Sequence, residues 1–184
     1  MMTPSLMRRT AVALLVVASV GGIGSVARAD DKPPKQAAPK TLEQLLKETG
    51  FAYSRPKEGV YRVAVESGGE VSMIVVEERT MSWKSRDGSP TKVAVLYTQV
   101  TPTLPREFKI PPAMLMRLAE LNDKFTFGSL SVGGSGEKVV FYNASFFLRN
   151  ADSEMLYDYL MLAHSSRTSS RKELVPFLQD ASGN

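Results

Sequence analysis

The sequence predicts an α+β domain in which helices pack against an antiparallel sheet of about five strands. Two observations predict it. Segments that alternate apolar and polar residues are joined by short glycine-containing turns, which is typical of antiparallel strands. Three other segments carry apolar residues at helical spacing next to capping residues. The predicted order is helix, three strands, helix, two strands, helix, and about 140 residues suffice to bury a core without disulfides.

The first helix is predicted to begin at Thr41 and to end at Gly50. Thr41 and Gln44 have the spacing of a capping box, and glycine is favoured just after the last helical turn. Phe51 and Tyr53 follow as expected core anchors. The apolar stripe of this helix consists of Leu42, Leu45 and Leu46.

Three strands are predicted next. The first alternates strictly, with Tyr61, Val63 and Val65 on one face. The second (EVSMIVVEE) is almost uniformly apolar, which favours a central strand buried on both faces. The turn before the third strand contains Asp87-Gly88, a strong turn signal. The three strands cover Val60–Glu66, Glu70–Glu78 and Thr91–Val100.

A second helix is predicted from Pro111-Pro112 to Asn122, because proline is favoured in the first helical turn. Its apolar face consists of Met114, Leu115, Leu118 and Leu121. Two further strands, Phe125–Val132 and Lys138–Leu148, are predicted to form a hairpin across the glycine-rich turn Gly133–Gly136.

The last helix is predicted to follow Asn150 or Asp152 as its N-cap. The polar stretch Ser165–Lys172 (SSRTSSRK) is expected to break or fray this helix before Leu174–Leu178. Serine and threonine compete for backbone hydrogen bonds, and they supply no apolar stripe. The stripe before that stretch consists of Met155, Leu156, Tyr159, Leu160 and Ala163.

The first 29 residues have the pattern of an export signal. Arg8 and Arg9 precede the apolar run Ala11–Val20, and Ala27-Arg28-Ala29 has the form of a cleavage site. The run is short for a membrane span, although an uncleaved anchor stays open. We therefore expect a bacterial protein that is periplasmic or secreted, with no stable membrane span after cleavage.

Three segments are expected to follow this signal. Residues 30–40 (DDKPPKQAAPK) contain three prolines and no large apolar side chain, which is typical of a flexible linker. Residues 41–180 are expected to form the single α+β domain, and residues 181–184 a disordered tail.

The net charge of +4 comes mainly from the export segment. Removing its three arginines from 23 basic residues leaves 20, against 19 acidic residues, so the remaining chain is nearly neutral. No run of lysine or arginine remains that would follow a phosphate backbone. Nucleic acid is therefore excluded as an expected partner.

The sequence offers little material for catalysis. The single histidine, His164, is interpreted as a surface or helix-end residue, because Asp158 falls on the opposite side of the same helix. One histidine and no cysteine leave a zinc site almost without ligands. The glycines of Gly133–Gly136 run into a strand, unlike a phosphate-binding loop. We expect no enzyme activity, no cofactor and no metal.

Apolar side chains exceed what one face of the sheet must bury. Most of them are expected to lie in the core, and the remainder to line a groove for a peptide or an apolar ligand. The candidate partner-binding surface consists of Trp83, Met81, Tyr142, Phe146 and Phe147.

Three sequence features carry a family resemblance. They are the turn from Leu45-Leu46 to Gly50-Phe51, the stretch Leu118–Asn122 (LAELN) before a strand with Phe and Gly, and the step Phe146–Asp152 before Leu156 and Leu160. Over about residues 41–180 the chain resembles the type III secretion chaperone-like fold, including its YbjN-type (sensory transduction regulator) branch. The resemblance implies a protein- or peptide-binding module, often dimeric, without catalytic chemistry.

The leading hypothesis is therefore an exported, non-enzymatic, chaperone-like domain that binds a protein or peptide of unknown identity, with a homodimer left open. The alternative is a small-ligand or lipid-binding protein of the cell envelope. In that case aromatic residues such as Phe141, Phe147 and Trp83 would line an apolar pocket.

Overall fold

Six strands form one antiparallel sheet in the order β1-β2-β3-β4-β6-β5. The structure is a computed structural model that describes residues 39–134 and 136–181. The expected signal segment, the linker up to residue 38 and the tail at 182–184 lie outside these residues. The strands are β1 (Tyr53–Lys57), β2 (Val60–Ser67), β3 (Glu70–Lys84), β4 (Pro90–Gln99), β5 (Ser129–Gly133) and β6 (Val139–Phe147).

Four α-helices accompany the sheet within the described residues, so the predicted α+β class is confirmed. A short 3₁₀ turn at Leu148–Asn150 leads from the last strand into the third helix, for which Asp152 is the N-cap. The helices are α1 (Leu42–Thr49), α2 (Pro112–Asn122), α3 (Ser153–Leu174) and α4 (Pro176–Ala181).

The first helix has the predicted ends. Thr41 and Gln44 form a reciprocal capping box, and Gly50 ends the helix with φ +77°. The three leucines of α1 are buried against α3, and the Phe51 ring stacks on Tyr157 of α3 at a centroid distance of 5.1 Å.

The core lies between the helices and one face of the sheet, which we call the covered face. α3 crosses β2, β3, β4 and β6 on this side, and α1 and α2 pack against α3. Alternate residues of each strand point to the same face, and the register places cross-strand neighbours such as Val76 and Leu96 together. The covered face consists of Tyr61, Val63, Val65, Ser72, Ile74, Val76, Ala94, Leu96, Thr98, Leu130, Val140, Tyr142, Ala144 and Phe146.

The central position of β3 is confirmed, but burial on both of its faces is not. Ile74 has no exposed surface, whereas its neighbour Met73 on the other face is 52% exposed. In the continuous apolar run of β3, residues that face the core therefore alternate with residues that face solvent. β3 also extends to Lys84, six residues beyond the predicted end, because it keeps pairing with β4 up to Pro90.

The strand β1 was not predicted. Its sequence YSRPK contains a proline and is mostly exposed, so it lacks the apolar alternation on which strand prediction depends. β1 pairs with β2 at the edge of the sheet, where a proline is tolerated. Tyr53 packs edge-on against Tyr61 at 5.9 Å.

The predicted break in the last helix is wrong. α3 continues through Ser165–Lys172 to Leu174, and the chain breaks only at Val175-Pro176. Ser166 and Ser170 are buried and extend the stripe formed by Leu160 and Ala163. Their small side chains face the core, so packing overrides the weak helix preference of serine.

Candidate binding surface

The second face of the sheet, which we call the open face, carries apolar side chains in its central strands. Val71 and Met73 are more than half exposed, and Val75, Val95, Tyr97 and Phe141 are partly buried. The Tyr97 and Phe141 rings contact each other edge-on at 6.3 Å. In β3, β4 and β6 the open face consists of Val71, Met73, Val75, Glu77, Arg79, Val93, Val95, Tyr97, Gln99, Phe141, Asn143, Ser145 and Phe147, and β2 adds Arg62, Ala64 and Glu66.

Two of the five predicted surface residues belong to the core instead. Tyr142 is fully buried, its ring packs on Phe125, and its hydroxyl donates to the carbonyl oxygen of Phe127 at 2.6 Å. Phe146 is 7% exposed and packs against Tyr159 of α3. Both fall on the covered face because their register partners, Thr98 and Ala94, also point toward the helices.

The other three predicted residues are accessible. Phe147 is 57% exposed on the open face, next to the buried Phe146. Trp83 is 52% exposed and Met81 is half-buried. Both of these lie where the register between β3 and β4 shifts, between Thr80 and Lys84. The five residues therefore do not form one surface, because alternation along β6 divides them between two faces.

At the other end of the sheet, β3 and β4 separate. Their last ladder pair is Ile74 and Thr98. Beyond that pair, two backbone carbonyl oxygens accept hydrogen bonds from side chains. The Thr98 hydroxyl donates to the carbonyl oxygen of Met73 at 2.9 Å, and Arg167 Nε of α3 donates to the carbonyl oxygen of Gln99 at 2.9 Å. Arg167 thus connects α3 to the end of β4, where the β3–β4 ladder stops.

Two buried polar residues, Ser72 and His164, form a hydrogen-bonded chain with Arg167. Arg167 Nη1 donates to Ser72 Oγ at 3.3 Å, and Ser72 Oγ lies 2.8 Å from Nδ1 of His164. Ser72 Oγ thus links the imidazole of His164 to the guanidinium of Arg167.

The interpretation of His164 as a surface or helix-end residue is therefore wrong. His164 is 5% exposed and lies within α3, one turn before Arg167. Asp158 is exposed on the same helix, as the sequence spacing indicated. A nucleophilic serine must reach its substrate, and Ser72 exposes none of its surface. The pair positions Arg167 by hydrogen bonding.

Arg171 follows Arg167 by one helical turn on the same side of α3. Burial lowers the pKa of Arg167 from its ordinary value, and the charge of Arg171 lowers it further, against an opposing effect of Glu70. Among the side chains that the structure describes, no carboxylate lies within 4 Å of either guanidinium. Neither guanidinium is therefore ion-paired among the described side chains, and Glu70 compensates the charge of Arg167 only at longer range.

Two open clefts share these arginines. The larger, about 510 Å³, also contains Glu70 and Lys172, whose charged atoms are 3.9 Å apart. The smaller, about 300 Å³, has no acidic residue in its lining. We call this smaller one the Arg cleft; it is lined by Met73, Gln99, Thr101, Pro102, Arg167 and Arg171. The larger cleft includes the open-face residue Val71, and the Arg cleft includes Met73 and Gln99, so both clefts border the open face.

Sequence reasoning missed this arrangement, although one signal was present. Arg167 and Arg171 are separated by four residues, which places them on one side of any helix that contains both. The expected break across Ser165–Lys172 places no continuous helix there. Without that helix, the spacing does not predict that the two arginines lie on the same side. Nothing in the sequence indicates that Ser72, 92 residues before His164, contacts it.

Comparison with known proteins adds no relative: no protein-family model, curated protein sequence or solved structure matches the chain. Within the described part of the chain, no helix combines the length and apolar character needed to cross a membrane. Across the same residues, no group of three or more His, Cys, Asp or Glu side chains is placed to hold a metal ion.

Proposed function

We propose that the protein is an exported, non-enzymatic binding module that takes an apolar segment of another protein on the open face of its sheet. The observation that carries this proposal is the exposure of Met73 and Val71 in central strands of a sheet that the helices cover on one side only. Export rests on the N-terminal sequence pattern, and the binding role agrees with the type III secretion chaperone-like resemblance.

The arrangement of the open face favours an extended segment. Val71, Met73 and Val75 follow one another at every second position of β3, so their side chains form a row along the strand. Tyr97 and Phe141 lie beside this row on β4 and β6. A segment with apolar residues at alternate positions matches this spacing.

The same surface disfavours the alternative of a lipid or small apolar ligand. Such ligands are held in concave, mostly apolar pockets. The two clefts beside the open face are open, and Arg167 and Arg171 line both of them. A protein segment can satisfy these charged groups and the apolar row together, because it carries both kinds of side chain.

The proposal is tested with fluorescein-labelled peptides of twelve residues, capped at both ends, in which valine alternates with threonine, leucine or phenylalanine. We expect at least one peptide to bind the folded protein in a fluorescence anisotropy titration. The variant Met73→Glu places a charge in the row and is expected to weaken this binding about tenfold, equivalent to about 1.4 kcal/mol.

The matched control is Met116→Glu on α2. Met116 is also exposed, but it lies outside the sheet, so the same change of charge and size leaves binding unaltered. The proposal is overturned if no peptide of the set binds, or if the two variants weaken binding equally.

A further inference from the structure

The Arg cleft has the geometry of an anion-binding site whose ligand is absent. Arg167 is fixed by two acceptors that carry no charge, the Gln99 carbonyl oxygen and Ser72 Oγ. These bonds engage Nε and Nη1, and no acceptor among the described residues takes the hydrogens of Nη2. A partly buried cation without an ion-pair partner is unfavourable, so an anion placed here would stabilise the site.

Arg171 adds a second cation that is free to turn toward the same ligand. It is exposed, and the part of the chain that the structure describes offers it no hydrogen-bond or ion-pair partner. The Arg cleft itself contains Gln99 and Thr101 but no carboxylate. In the larger cleft, by contrast, Glu70 balances Lys172. Of the two clefts, the Arg cleft is thus the one whose lining has both arginines and no acidic residue.

Building on the proposed function, we infer that Arg167 and Arg171 bind the side-chain carboxylate of a glutamate or aspartate in the protein segment that occupies the open face. Guanidinium groups match the two oxygens of a carboxylate through paired N–H donors. Met73 belongs both to the Arg cleft and to the apolar row. The preferred segment thus has an acidic residue adjacent to alternating apolar residues.

The position of the arginines favours an internal side chain over the chain terminus. Clefts of about 300 and 510 Å³ share Arg167 and Arg171 and otherwise have different linings. A bound chain therefore has room to continue past the arginines in both directions. A terminal carboxylate would leave the larger cleft empty.

The test compares two capped peptides that differ only at one central position, glutamate or glutamine, within the same alternating valine-threonine sequence. We expect wild-type protein to bind the glutamate peptide about tenfold more tightly at low salt, because charged hydrogen bonds are stronger than neutral ones. Arg171→Gln is expected to abolish this preference while the glutamine peptide binds as before.

Lys172→Gln is the matched control. It removes one positive charge from the next position of α3, but Lys172 already faces Glu70, so the preference for glutamate is expected to persist. Arg171 is exposed and unpaired in the described residues, so its variant keeps the fold; Arg167 is left intact because it holds the end of the ladder.

The inference is overturned if wild-type protein binds both peptides equally, or if the preference persists in Arg171→Gln. It is also overturned if vesicles containing phosphatidylglycerol bind in an Arg171-dependent manner while the peptides show no preference, since the anion would then be a lipid headgroup. In these outcomes, binding of the glutamine peptide leaves the proposed function standing. If neither peptide binds and no other peptide of the set does, the proposed function fails as well.

Discussion

The two faces of the sheet are built from the same strands and have opposite environments. On the covered face Ile74, Val76 and Leu96 are completely buried beneath the helices, of which α3 packs on β3 and β4, whereas on the open face Val71 and Met73 are more than half exposed. Both sets are apolar, so hydrophobicity alone does not distinguish them. The comparison separates residues that stabilise the fold from residues that are available for binding.

The largest expected difference is between the neighbouring residues Ile74 and Met73. Ile74→Ala is expected to lower the free energy of unfolding by about 2–5 kcal/mol, because it opens a cavity in a closely packed core. Met73→Ala is expected to change it by less than about 0.5 kcal/mol, since its side chain is mostly solvated. Urea denaturation followed by circular dichroism measures both. Equal losses would show that the open face is covered in solution.

A second comparison concerns two buried serines on the covered side. Ser72→Ala removes the hydrogen-bond partner of His164 and one partner of Arg167, so we expect a loss of about 1–3 kcal/mol. Ser170→Ala is expected to be neutral or slightly stabilising, because Ser170 Oγ is buried without a hydrogen-bond partner among the described residues. Thermal unfolding of both variants and the wild type provides the measurement. A Ser170→Ala loss as large as that of Ser72→Ala contradicts this expectation.

The smallest expected effect is a pH dependence that originates on the covered face. Burial raises the pKa of Tyr142 above its ordinary value of 10.0, against a smaller lowering by a hydrogen bond with Ser166. Above about pH 10 the unfolded chain loses this proton while the folded chain keeps it. The stabilisation is therefore complete below pH 10 and is lost as the pH rises through the higher folded value.

Tyr142→Phe is expected to lower stability by about 1 kcal/mol at pH 7, through loss of the bond to Phe127, and to flatten the decline above pH 10. Part of the decline in stability above pH 10 remains in this variant, because burial also raises the pKa of Tyr61. Urea titrations at pH 7 to 11 measure these slopes, and an unchanged slope in Tyr142→Phe would contradict the assignment.

Prediction from sequence succeeded where a local pattern determines the structure. The capping box at Thr41, the glycine end of α1 and the Asp87-Gly88 turn depend on residues close together in the chain. In that turn Asp87 Oδ1 accepts from the Ser89 amide at 3.0 Å, which is a local contact of the expected kind. Such features need no knowledge of the rest of the fold.

Prediction failed where the partner is distant in the sequence. The burial of Ser166 and Ser170 depends on the sheet beneath α3, and β1 forms a strand only because β2 offers it an edge. The assignment of Phe146 and Phe147 to opposite faces required the register of β6 against β4. For the same reason the Arg cleft, formed by α3 and the ends of β3 and β4, has no counterpart in any single stretch of sequence.

The edge strand β1 has a consequence for self-association. A sheet with an exposed apolar face risks adding strands from other molecules, which leads to aggregation and fibres. At this border Pro56 lacks an amide hydrogen to offer, and Arg55 and Lys57 bring repelling charges. At the opposite border β5 is only five residues long. The molecule can therefore leave an apolar sheet face exposed to solvent while its borders resist polymerisation.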